Sequence, residues 1–349
     1  IPQDKGFCHF LGEHFFDENF PEKKFLEDNL MKTKITEMLH IKHPIIQGGM
    51  QNIAYPVLAA AVSNAGGLGT INATNYKTPD SFHEAIREMK QLTDKPFCVN
   101  ISILPDLDAG DHVRQFIHIC GMEQVAAIET AGTKPDKLVS LIHDAGIIHI
   151  HKVPAARYGV SAQSCGVDAV TAVGYECGGH PGMDGTMVLA NEASRSLHIP
   201  VIAGGGIVDG RGIAAALALG AEAVVMGTRF LATTEAPISQ NHKEWITHST
   251  ETSTILIQKS IRNMMRAADN NAARTCLDME DQGASLQELM SVISGAKGKE
   301  AYKTGRLEDG IFPIGMGCCL IRDIKPVGEV MKELVEEMGH ALGSVAERM

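Results

Sequence analysis

Between residues 43 and 230 one pattern recurs eight times. A short, nearly continuous apolar run is followed by a stretch of helical periodicity. The apolar runs fall at 43–48, 68–73, 97–104, 125–131, 147–153, 169–173, 200–206 and 223–230. Strands that are apolar on both faces are those of a parallel sheet covered by helices on each side. Eight such units predict a closed (β/α)8 TIM barrel, with an open doubly wound α/β sheet as the competing arrangement.

The intervening helices carry weaker signals. The first shows Ile53, Val57 and Ala61 on one stripe with Leu58 and Val62 beside it, and closes at Gly66-Gly67. The second is expected over 81–93 with Ser81 as its N-cap, and the fifth strand has only a short helical stretch behind it. After the eighth strand the pattern changes. Residues 238–305 read as helices only, clearest at 260–266 and 286–293, so a helical insert or lid is expected there. The barrel is then built from 31–237 and 306–349, closed by a helix over 326–348. The glycine-containing link at 311–317 is able to reach the barrel mouth.

The first 30 residues differ from the rest. Six of the eleven phenylalanines, Phe7, Phe10, Phe15, Phe16, Phe20 and Phe25, lie there among acids and lysines. This segment reads as an N-terminal extension, either a docking arm or a processed leader, before a natural beginning at Met31. The net charge of −11 argues against nucleic acid or an anionic membrane as partner, since phosphate recognition needs clustered Lys and Arg. No apolar run approaches the ~20 residues of a membrane span. The eight cysteines are scattered and form no Cys-x-x-Cys pair, which suggests reduced thiols packed as small hydrophobes and a cytoplasmic setting.

Barrel enzymes place their chemistry at the C-terminal ends of the strands. Those ends here are Gly48-Gly49-Met50-Gln51, Asn100 with Ser102, Lys152, Gly178-Gly179-His180, Gly204-Gly205-Gly206 and Met226-Gly227-Thr228. Backbone N–H groups exposed by glycine after strands seven and eight suit an anion, so a phosphate-bearing ligand is favoured there. Lys152 is either a solvated lysine or a cation placed to stabilise negative charge on a cofactor ring. His180 is a candidate general acid or base, because imidazole titrates near neutral pH. Cys177, three residues earlier, is its rival as a reactive group but reads better as a packing residue. His149 and His151 alternate with isoleucines, and His151 faces away from Lys152, so both are read as structural. No residue spacing suggests a metal site.

Taken together, these stretches resemble the nitronate monooxygenase family, also called 2-nitropropane dioxygenase-like proteins. The motifs that carry the resemblance are Pro44-Ile45-Ile46-Gln47-Gly48-Gly49-Met50-Gln51, Ser63-Asn64-Ala65-Gly66-Gly67-Leu68-Gly69, Gly178-Gly179-His180-Pro181-Gly182, Gly204-Gly205-Gly206 with Asp209-Gly210-Arg211-Gly212, and Met226-Gly227-Thr228-Arg229-Phe230. The family consists of FMN-dependent TIM barrels and also includes NAD(P)H:quinone reductases and FMN-dependent enoyl-ACP reductases. The resemblance implies that Gly49, Met50 and Gln51 contact the flavin and that Ser102 and Lys152 lie near its rings. It also implies that Gly178 and Gly179 line the rings, that Gly206, Gly227 and Thr228 hold the phosphate, and that His180 takes a proton from a nitroalkane. Two positions depart from the pattern: Val173, where relatives have an acid, and Asn52, where quinone-reducing relatives have Trp.

The leading expectation is an FMN oxidoreductase that converts alkyl nitronates and O2 to a carbonyl compound and nitrite. An NAD(P)H-dependent reductase of quinones or of an activated C=C bond is the alternative on the same scaffold. Two readings of other classes stand beside these: a flavin-free barrel acting on phosphosugars, and a docking role for residues 1–30.

Overall fold

The computed structural model describes residues 31–103 and 111–348. The expectations for residues 1–30 lie outside the described residues. Eight strands form one parallel sheet: β1 (Ile45–Gln47), β2 (Gly69–Asn72), β3 (Phe97–Ile103), β4 (Ala127–Gly132), β5 (Ile148–Val153), β6 (Ala169–Val173), β7 (Val201–Gly204) and β8 (Ala223–Met226). β1 pairs with β8, and a parallel bridge between Ile46 and Leu68 joins the other edge, so the sheet closes on itself. The barrel, rather than the open sheet, is the fold.

A helix α1 (Lys34–Leu39) precedes β1 and starts at a capping box in which the Thr33 hydroxyl accepts from the Thr36 N–H. It buries Ile35 and Leu39 in one cluster with Ile46, Leu68, Cys98, Ala127, Ala169, Ile202 and Ala223, inward residues from the starts of the strands. Each such side chain contributes roughly 1.5–3 kcal/mol of burial. The N-terminal end of the barrel is thereby packed shut, leaving the opposite end for a ligand.

The outer helices follow their strands: α2 (Pro56–Asn64), α3 (Pro79–Leu92), α4 (Asp111–Met122), α5 (Val139–Asp144), α6 (Ala156–Cys165), α7 (Thr186–Ser196), α8 (Gly210–Ala218) and the single turn α9 (Thr228–Leu231). Three details differ from expectation. α2 turns Leu58 and Val62 inward while Val57 is 52% exposed, because apolar residues on two sides left its face undecided. α3 starts at Pro79, with Thr78 as N-cap and Ser81 as the reciprocal partner one turn in, since proline needs no N–H at that position. α6 runs for ten residues and ends at Gly166 in the left-handed region, φ 96°.

The larger correction concerns residues 238–305. After α10 (Gln240–Thr247) comes an antiparallel hairpin, β9 (Thr254–Ile257) with β10 (Met265–Ala268), in the register Met265↔Ile257 to Ala268↔Thr254. The segment expected to be the clearest helix is thus the hairpin's connection and second strand. Its ends reverse at Gln258 (φ 62°) and Arg262 (φ 56°), where the Asn263 N–H donates to the Gln258 carbonyl. Helices α11 (Asn271–Asp281), α12 (Leu286–Ile293) and α13 (Gly295–Thr304) complete the insert, α12 where it was expected. The last helix, α14 (Val327–Ala346), packs against α8 and α2 and closes the outer ring.

Candidate active site

Parallel strands bring all eight C-terminal ends to one mouth. Below it, side chains from four adjacent strands meet inside the barrel. The Glu129 carboxylate on β4 accepts from Asn100 Nδ2 on β3 at 2.8 Å and from Thr171 Oγ1 on β6 at 3.0 Å, and pairs with Lys152 Nζ on β5 at 2.8 Å. Glu129 is 5% exposed, whereas the Lys152 side chain is 22% exposed, so the carboxylate lies beneath and the ammonium faces the opening. Burial is the largest influence on Lys152 and lowers its basicity, but the Glu129 charge and hydrogen bond, with the nearby thiols, together outweigh it and hold the ammonium above its usual range. Glu129 escaped the sequence reading. Its only signal was an isolated acid at an inward position of an otherwise apolar strand.

His149 and His151 point the other way on β5, as alternation requires. Both ring nitrogens, His149 Nε2 and His151 Nδ1, lie 2.8 Å from Thr130 Oγ1. Burial pushes both imidazoles down to about 4, so they are neutral packing groups.

The turn after β6 carries Gly178, Gly179 and His180, and the insert holds it in place. Gly179 and Arg266 exchange both backbone hydrogen bonds, Arg266 N–H to Gly179 O at 2.7 Å and Gly179 N–H to Arg266 O at 3.0 Å. Arg266 is 4% exposed. Its Nε donates to the Tyr175 carbonyl at 3.2 Å, Nη1 donates to Thr254 Oγ1 at 3.2 Å, and the guanidinium lies 4.7 Å from the Tyr175 ring centroid. His180 itself is exposed, with Nδ1 3.1 Å from the Met264 carbonyl oxygen. A carbonyl only accepts, so Nδ1 carries the proton and Nε2 of the neutral ring keeps its lone pair. The hairpin that sequence periodicity misread is what orients this histidine.

The Cys177 thiol donates to the Gly178 carbonyl, and burial pushes it above its usual range despite the nearby Lys152 and Arg266 charges. It is a packed thiol. Gly178 lies against the 311–317 link, where an added Cβ would stand 2.6 Å from the Ile314 carbonyl carbon and 2.7 Å from the Gly315 nitrogen. The link does reach the mouth: Gly315 N–H donates to Thr228 Oγ1 at 3.1 Å, and Met316 N–H donates to the Glu176 carbonyl at 2.9 Å.

At the ends of β7 and β8, Gly205 (φ 110°) and Gly206 (φ 72°) turn the backbone in the left-handed region, followed by Gly227 and Thr228. A Cβ at Gly179 (φ 78°) would meet nothing within 4 Å, and one at Gly227 only Met50 Sδ at 3.5 Å. These bare backbone stretches beside a facing ammonium form a cradle suited to a flat, phosphate-bearing cofactor. Gly49 approaches so close to Asn100 that a Cβ would overlap its side chain, which fixes the first strand end against β3. Met50 is half-buried, Gln51 is exposed and borders Gly295 of the insert, and Ser102 is half-buried in register with Ala131.

Of the two departures, Val173 lines the barrel interior, and the acid three residues on, Glu176, is engaged by the Thr186 N–H and hydroxyl at 2.9 and 2.8 Å. Asn52 takes φ 61° and donates through Nδ2 to the Gly295 carbonyl at 3.1 Å, so it ties the first strand end to the insert. Beside the turn lies a cavity of about 390 Å3 lined by Tyr175, Met183, Leu256, Lys259, Arg262 and Met264.

The closed (β/α)8 barrel with its glycine-lined mouth is the scaffold, and the family match makes the chain a barrel oxidoreductase. The chain belongs to the nitronate monooxygenase family, whose model matches residues 32–337. Members of that family are flavin-dependent in general. Among curated relatives, a protein of Staphylococcus saprophyticus named "Probable nitronate monooxygenase" is 30% identical over 320 residues, 80% of this chain and 90% of that one. A (3aS,4S,5R,7aS)-5-hydroxy-7a-methyl-1-oxo-octahydro-1H-indene-4-carboxyl-CoA dehydrogenase of Rhodococcus jostii is 38% identical over 226 residues, 64% of this chain. That match spans 62% of the Rhodococcus protein, less than two thirds of its length. Among solved structures, FabK from Thermotoga maritima superposes with a TM-score of 0.86 at 36% identity, covering 91% of this chain and all of that one. Among the described residues no helix is long and apolar enough to cross a membrane.

Proposed function

We propose that this chain is an FMN-dependent oxidoreductase in which His180 takes a proton from a carbon beside a strongly electron-withdrawing group. Its substrate class is the nitroalkane and its nitronate, with O2 as the electron acceptor and a carbonyl compound and nitrite as products. The observation that carries this reading is the 3.1 Å contact between His180 Nδ1 and the Met264 carbonyl, which leaves Nε2 as the basic atom. When bound, the flavin accepts the electron pair that leaves the substrate.

The chain's residues supply position and charge. Gly206, Gly227 and Thr228 hold the phosphate through backbone N–H groups, and the left-handed Gly205-Gly206 turn supports that role. Gly178 and Gly179 leave room for the flat ring, with Gly49, Met50 and Gln51 at the first strand end and Ser102 on β3 around it. The Lys152 ammonium faces the ring and favours negative charge there. The Gly179–Arg266 pairing keeps the imidazole over the same opening. Flavin absorbance of the purified protein, followed during anaerobic mixing with a nitronate, tests this. Yellow protein whose absorbance bleaches supports it, and a colourless preparation rules it out.

A second reading, NAD(P)H-dependent reduction of a C=C bond conjugated to a thioester or of a quinone, is favoured by one feature. The cavity beside Tyr175 has apolar walls with Lys259 and Arg262 among its lining, which suits a substrate or nicotinamide cofactor bearing phosphate. The similarity to the CoA-ester dehydrogenase and to FabK also supports it. Anaerobic mixing with NADH separates the two, since rapid bleaching belongs to the reductase alone.

A further inference from the structure

The buried carboxylate inside the barrel has no part in the function proposed above. Its neighbours below are Ile46, Cys98, Ala127, Ile150, Ala169, Ile202 and Ala223, an apolar packing that needs no charge. A buried ion pair is no better for stability than apolar side chains of the same volume, because desolvation offsets the attraction. Yet three other strands converge on this group: Asn100, Thr171 and Lys152 all direct polar atoms to Glu129. Among the described residues, Glu129 is the one recorded polar partner of Lys152 Nζ, and an ammonium carries three donors. Two donors therefore remain for whatever occupies the mouth.

We propose that Glu129 is a positioning residue that holds the Lys152 ammonium charged and aimed at the cofactor ring across the working pH range. The inference rests on the flavin reading for its consequence, but the Glu129–Lys152 pairing stands without it. Without the carboxylate, Lys152 loses the charge that offsets its burial, and burial then favours the free amine. A neutral amine no longer favours negative charge on the ring, so the cofactor would change its electronic state with pH.

The groups facing the pair leave Lys152 as the reporter. Cys98 on β3 and Cys177 after β6 are both thiols that burial pushes above their usual range, so they stay neutral. His151 on the opposite face of β5 is pushed down to about 4 and is neutral above pH 5 to 6. Arg266 lies beyond Cys177.

The test uses FMN-loaded protein and, in parallel, the protein without cofactor. Spectra are read in the His180→Ala background, which removes the imidazole over the mouth; there, with Glu129 intact, flavin absorbance is expected to be constant between pH 5.5 and 9. Glu129→Gln is expected to introduce a one-proton spectral transition in that window, abolished in E129Q/K152M. In the cofactor-free protein, labelling of Lys152 by an amine-selective acylating reagent at pH 8, read by peptide mass spectrometry, should rise at least about tenfold in E129Q, a factor that corresponds to one pKa unit. Glu129→Asp, a milder change that keeps the carboxylate, should fall between the two and carries the labelling test if E129Q does not fold. Unchanged labelling overturns the proposal. A rise in labelling with a flat flavin spectrum overturns the part that concerns the ring. Failure of the wild type to bind FMN counts against the proposed function instead, while the labelling arm still decides what Glu129 does.

Discussion

The Nδ1 atom of His180 lies 3.1 Å from the carbonyl oxygen of Met264, 84 residues further along the chain. The contact fixes which imidazole nitrogen carries the proton, and it does so from the insert rather than from the barrel. Two positions later, Arg266 exchanges backbone hydrogen bonds with Gly179 and stacks on Tyr175. The insert is therefore part of the site, since it supplies the frame for a residue that the barrel presents.

Replacing Arg266 tests that frame. Arg266→Met keeps the length of the side chain but loses the donors to Tyr175 and Thr254, at a cost of about 1–3 kcal/mol for the acceptors left behind. We expect FMN content to stay near wild type and kcat to fall by up to about 10²-fold, as small misplacements of a reacting group do. Flavin absorbance per mole of protein and steady-state kinetics measure both, and a kcat equal to wild type contradicts the role.

Neighbouring glycines should lose FMN affinity for different reasons. Gly178→Ala places a methyl against the Ile314–Gly315 backbone, which has nowhere to go without opening the mouth. Gly179→Ala meets open space and costs only the left-handed backbone strain, roughly 1–2 kcal/mol. FMN affinity measured by fluorescence quenching should fall for both, for the first because the 311–317 link is displaced and for the second because the added methyl enters the space left for the ring. Equal affinity for wild type and Gly178→Ala is the contrary result.

The barrel was legible in the sequence because each of its eight strands is a short, mostly apolar run followed by helical periodicity. The hairpin was not. Ile261, Met264 and Met265 recur at helical spacing, yet Gln258 and Arg262 take left-handed backbone conformations that non-glycine residues do not advertise. His180 was singled out from its place among glycines at a strand end. Its partner could not be, because a backbone carbonyl leaves no trace in residue type. Glu129 was hidden for another reason: one acid inside an apolar run reads as noise until its three partners on neighbouring strands are seen together.

Four buried histidines make stability depend on pH. Burial lowers His43, His149, His151 and His242 to about 4 in the folded chain, against an ordinary value near 6.5 when unfolded. Between these values the unfolded chain binds protons that the folded one does not, so stability is fully present above about pH 6.5 and declines as pH falls toward 4. Urea midpoints measured from pH 8 to pH 4.5 should drop through that window. A constant midpoint would contradict the neutral assignment.

The cavity beside Tyr175 distinguishes the two substrate readings. Lys259→Gln with Arg262→Gln should raise KM severalfold for a phosphate-bearing acyl thioester or for NADPH, with kcat little changed. The kinetics of a small nitroalkane should not move. If the nitroalkane alone were affected, the cations would belong to the nitroalkane's own site and the reductase reading would lose its structural support.

The central claim is that His180 removes a proton from carbon, and one comparison tests it most directly. Turnover of wild type and His180→Ala is measured on a neutral nitroalkane and on its preformed nitronate, at equal FMN content. Loss of a general base costs about 10²–10⁴-fold. That loss is predicted for the neutral nitroalkane, with a much smaller loss for the nitronate, whose proton is already gone. Equal losses on both substrates would contradict it.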